Sequence, residues 1–60
     1  MRYKVMRHPE TGDVRVANDM TITGIKLQLE MRLGGYEEIA TIASDIGLAA
    51  VKELVERRSA

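Results

Sequence analysis

From Ile25 to Leu33 every odd position is apolar and every even position is polar, nine residues without a break. On a strand this period puts Ile25, Leu27, Leu29, Met31 and Leu33 on one face. On a helix Ile25, Leu29 and Leu33 share one side, while Leu27 and Met31 fall nearly opposite, so half of the apolar set is left uncovered. Leu, Met, Lys, Gln and Glu each favour helix, but the period predicts a strand. Upstream the parity reverses, with Met20 and Ile22 apolar at even positions. A glycine between two out-of-phase halves predicts a bulge. The expectation is a third strand over about 20–33, bent at Gly24.

Two shorter strands precede it. Residues 2–7 put Tyr3 and Val5 on one side and Arg2 and Lys4 on the other, and residues 13–18 place Val14 and Val16 opposite Arg15. Between them, Pro9 presets an early turn position and Gly12 supplies the positive φ that closes a hairpin loop.

After Gly34-Gly35 the period becomes helical. Tyr36, Ile39, Ala40, Ala43, Ile46, Gly47, Ala50, Val51 and Leu54 recur at steps of three and four. Glu37 and Glu38 at the start, with Arg57 and Arg58 at the end, suit the helix dipole. Glu53 and Arg57 stand in the favourable i,i+4 order. The expected helix covers about 36–58, with a break near Gly47 and a fresh start at Leu48 as the alternative. The fold class is therefore α+β: a three-stranded antiparallel meander packed by one C-terminal amphipathic helix, in a single domain over 1–60.

Composition narrows the function. Nine Lys/Arg balance nine Asp/Glu, 45% of residues are apolar, and there is no cysteine. An apolar, neutral chain does not match the signature of disorder. No apolar run approaches a membrane span and no signal peptide is legible, which points to the cytoplasm. Without Cys there is neither a disulfide framework nor a thiolate metal site, and no metal or cofactor is expected. The sole histidine, His8, lies beside Pro9 in the hairpin loop with no evident catalytic partner, and Ser44 has no His or Lys at a telling spacing. The reading favours binding over catalysis.

A chain of this size rarely builds a self-sufficient core, and with disulfides and metals absent the remaining staple is another chain. Self-association, as a homodimer, is the expectation. Ile42, Leu48, Val51 and Val55 widen the apolar arc of the helix beyond what one sheet covers and are the candidate protein-interaction residues. The leading function is a small non-catalytic module that presents a surface to a protein partner whose identity the residues do not give.

The alternative is nucleic-acid binding. If the apolar faces of the three strands meet the helix, the solvent face carries Arg2, Lys4, Arg15, Lys26, Gln28 and Arg32. Such a face resembles the three-stranded-sheet DNA-binding domains at the level of architecture. Residues Ile42-Ala43-Ser44-Asp45-Ile46-Gly47-Leu48 also resemble the first half of a helix-turn-helix, but the β-branched residue that motif needs further on falls at Glu53.

Overall fold

The structure, a computed structural model, describes residues 1–59. Its elements are β1 (Arg2–Arg7), β2 (Val14–Asn18), α1 (Ile22–Leu33), β3 (Glu37–Ala43) and α2 (Leu48–Ser59). The fold is α+β, with three antiparallel-paired strands in one sheet and two helices.

The hairpin forms as its sequence predicts. Val5 lies opposite Val16 and Arg7 opposite Val14. The loop closes with His8 N donating to Asp13 O and Gly12 N to His8 O, and Gly12 takes φ +76°. The His8 ring serves its own loop, with Nδ1 accepting from the backbone N–H groups of Glu10 and Thr11 at 3.2 and 3.4 Å.

The next two elements are exchanged relative to the expectation. The alternating segment, expected as strand 20–33, is helix α1. Three local forces outweigh its period. Its residues are strong helix formers. Thr21 is an N-cap whose side chain accepts from Gly24 N. At the other end Gly34-Gly35 closes the helix in a Schellman motif: Tyr36 N donates to Met31 O, Gly35 N to Arg32 O, and Gly35 sits at φ +98°. The paired hydrophobic contact of that motif is present too, with Tyr36 packed near Met31. Gly24 is no bulge. It is buried inside α1, where the helix crosses the Asn18 carbonyl.

The first half of the expected 36–58 helix is strand β3, with β-branched Ile39, Thr41 and Ile42 in its run. It pairs antiparallel with β1, not β2. Tyr3 faces Ile42 and Val5 faces Ala40, and then Met6 faces Glu38, leaving Ile39 as the extra residue of a bulge. The sheet order is β2-β1-β3. The expected meander is therefore replaced by a split β-α-β unit, in which α1 carries the chain across β1. Only the alternative start at Leu48 survives from the long helix: Gly47 O accepts the first bond of α2, from Val51 N.

Helices cover both faces of the hairpin. On one, Tyr3, Val5 and Val16 pack with Val51 and Val55 of α2, flanked by Val14, Ile42 and Leu48. On the other, Met6 and Ala17 pack with Met31 of α1 and with Tyr36. The Tyr3 hydroxyl reaches out of the first core to donate to Ile46 O at 2.9 Å, which fixes the turn ahead of α2.

Candidate interaction surfaces

The strand alternation correctly separates the two faces of the hairpin, but the face opposite Tyr3 and Val5 is not a solvent plane. It carries Arg2, Lys4 and Arg15 around the seat of α1. Each of these cations has an acidic partner: Arg2 with Asp19 at 2.8 Å, Lys4 with Glu38 at 2.9 Å and Arg15 with Asp13 at 2.9 Å. Arg32 stands 3.7 Å from Glu38. Lys26, Gln28 and Arg32 belong to α1, so the six candidate nucleic-acid contacts do not form one sheet face. Gln28 is buried, 6% exposed. Its amide donates to Asn18 O and to Asp19 Oδ1, tying α1 to the end of β2.

These contacts also set the titration of two acids. The Gln28 amide, followed by the Arg2 guanidinium, holds the Asp19 carboxyl below its ordinary value. Asp13 is lowered chiefly by the Tyr36 hydroxyl, which donates to its Oδ2 at 2.5 Å, and then by Arg15.

The four residues expected at a protein interface gather on the inside. Val51 is 1% exposed and Val55 is buried with it against Tyr3 and Val5, while Ile42 and Leu48 are half-buried on the same cluster. The arc looked too wide for one sheet because the residues before Gly47 were counted on the same helix. With those residues in β3, Val51 and Val55 are core residues of α2, and Leu54 is the large apolar side chain it leaves exposed.

Large apolar side chains elsewhere, among them Ile39 and Leu54, are exposed singly, whereas on α1 four of them line up. Ile22, Ile25, Leu29 and Leu33 are 77%, 46%, 58% and 90% exposed. At 3.6 residues per turn they fall within about 80° of the helix circumference, over a length of about 17 Å. Gly24, Gln28 and Met31 turn the other way, into the protein. This is the half of the alternating set that a helix cannot bury within its own chain. Lys26 and Glu30 border the stripe on one side, and among the described residues neither forms an ion pair.

Two further surfaces adjoin the sheet. The outer edge of β2 floors an open cleft of about 310 Å³, lined by Asp13, Val14 and Arg15, by Leu27 of α1, and by Lys52 and Val55 of α2. Strand β3 is the opposite edge, and its only charged residues are Glu37 and Glu38. Neither strand edge has a strand beside it.

Among the described residues no cluster of three His, Asp or Glu side chains is placed to hold a metal ion, and no helix is long and apolar enough to cross a membrane. Comparison with protein-family models, with curated proteins and with solved structures finds no match.

Proposed function

We propose that this chain is a small, non-catalytic, cytoplasmic protein-interaction module that acts as a homodimer and presents a surface to a protein partner. One observation carries the reading: four large aliphatic side chains are aligned on the solvent side of α1. Isolated exposed apolar residues are ordinary, but a contiguous stripe on a small protein marks a contact. The stripe is also costly to leave wet, since fully burying each such side chain is worth about 1.5–3 kcal/mol.

The cleft along β2 supports the second half of the reading. An extended segment of a partner can add to a free strand edge through main-chain hydrogen bonds while its side chains fill flanking pockets. Here Leu27 and Val55 supply apolar walls, and Asp13, Arg15, Lys52 and Glu56 supply charges of both signs at the rim.

The nucleic-acid alternative draws less support. Four of its five cations stand beside carboxylates, so little unneutralised charge remains for phosphate.

Light scattering across a concentration series tests the reading. A mass of two chains that falls toward one on dilution is expected. A single-chain mass at every concentration removes the homodimer. Retention of duplex DNA that weakens steeply with salt would favour the alternative.

A further inference from the structure

We propose that the surface joining two copies is α1 itself, packed antiparallel against α1 of a second copy about a two-fold axis. The proposal rests on the homodimer reading above and adds its geometry.

The exposed stripe of α1 is complementary to itself. A two-fold contact must bring a patch against itself with its direction reversed. Three residue pairs on α1 satisfy that reversal together. Ile25 with Leu29 is centred on Leu27, Lys26 with Glu30 on Gln28, and Ile22 with Leu33 midway between those two, so one centre serves all three pairs to within about half a residue. An antiparallel pairing about that centre sets Ile22 against Leu33 and Ile25 against Leu29 in both directions. Each apolar side chain of the stripe then meets another.

The charges fix the same register. Lys26 and Glu30 lie on the same border of the stripe. A two-fold axis across the seam brings like borders together, so Lys26 of one protomer faces Glu30 of its partner, and the reverse. Two reciprocal ion pairs result. A parallel two-fold pairing would set this border against the opposite border of the partner's stripe, where neither Lys26 nor Glu30 lies, so the reciprocal pairs would not form. Among the described residues these two side chains have no ion pair within the chain, so both are free to engage the partner.

The core does not depend on this face. Met31, Gln28 and Gly24 point into the protein, and the caps at Thr21 and Gly34-Gly35 use backbone groups at the helix ends. The stripe can therefore be altered with the fold intact. The seam is one helix wide, which puts it toward the low end of specific interfaces, roughly 1,000 Å² in total. The dimer is accordingly expected to be reversible.

The test is sedimentation or light scattering of four full-length proteins over a concentration series, with circular dichroism of each. The wild type is expected to dimerise. Leu29→Glu is expected to be monomeric with an unchanged spectrum. Lys26→Glu is expected to weaken the dimer several-fold, and the double exchange Lys26→Glu with Glu30→Lys to restore it. That rescue is invisible to a purely structural role, because the swapped residues touch nothing in their own core. A dimeric wild type whose mass is untouched by Leu29→Glu overturns the α1 seam and leaves self-association standing. If Leu29→Glu dissociates the dimer but Lys26→Glu does not weaken it, the antiparallel register is overturned. A wild type that is monomeric throughout overturns both the seam and the homodimer. Binding of such a monomer to neutral phosphatidylcholine vesicles would assign the stripe to a lipid surface instead.

Discussion

The main-chain carbonyl oxygen of Asn18 occupies the space that a Cβ on Gly24 would need. The end of β2 and the first turn of α1 thus touch backbone to backbone, and Gln28 reinforces the approach by donating to the same carbonyl.

Gly24→Ala must push the helix away from the sheet. The gain in helix propensity, up to about 1 kcal/mol, is outweighed by strain of the order of an overpacked core, about 1–3 kcal/mol, and by disturbance of the Gln28 contacts. A lower urea midpoint than wild type is expected. A raised midpoint would show that α1 can lift without loss.

Gly35 combines a left-handed backbone with a close neighbour: a Cβ there would stand 2.9 Å from His8 Nε2. Gly35→Ala is expected to cost about 1–2 kcal/mol from the backbone alone, with a steric part added. Combining it with His8→Ala should recover the steric part and not the backbone part. A double-mutant cycle in urea separates the two.

Tyr3 is buried, yet its hydroxyl holds Ile46 O. Tyr3→Phe keeps the packing and orphans that bond, so a loss of about 0.5–1.5 kcal/mol is expected. Hydrogen exchange should locate it, with faster opening around residues 44–51 than in the β1–β2 hairpin. Uniform acceleration would argue against a local anchor.

Asp19 and Asp13 both have folded pKa values below their unfolded ones. A depressed carboxyl contributes stability that is present above the unfolded value, about 3.9. That contribution is lost as pH falls through the lower folded value. Stability should therefore be flat from neutral pH to about 5 on account of these groups and decline below about 4. Asp19→Asn, which removes the titration while keeping an acceptor for Gln28, should make the acid decline shallower. An unchanged slope in urea midpoints between these pH values would contradict the assignment.

The sequence was most legible where one force acts alone. In the hairpin, strand alternation, Pro9 and Gly12 agree, and the facing of Tyr3, Val5, Val14 and Val16 follows. The Glu53–Arg57 pair at 2.6 Å also follows from spacing. Over residues 20–46 two forces conflict, and the period points to the wrong element in each half. Counting periods assumes that every apolar side chain is covered by its own chain. In α1 that assumption fails: Leu27 and Met31 turn inward or along the cleft, while Ile25, Leu29 and Leu33 do not. The correcting signal was present in Thr21 ahead of the run and Gly34-Gly35 behind it, which bracket a helix and serve no purpose on a strand. Once α1 is a helix, Tyr36–Ala43 is the remaining segment able to complete the sheet. Val51 and Val55 look superfluous only on a helix twice the true length; on α2 as it stands they pack in the core.

The middle strand of the sheet is also the earliest to be made. β1 gains β2 across a short loop, but its other neighbour, β3, is supplied only after α1 has been synthesised. During translation the nascent hairpin therefore emerges with one flank of β1 unpaired, and its Tyr3–Val5 face waits longer still for α2. Closing such distant contacts is slow compared with forming a hairpin, so the hairpin is expected to form before β3 docks on β1.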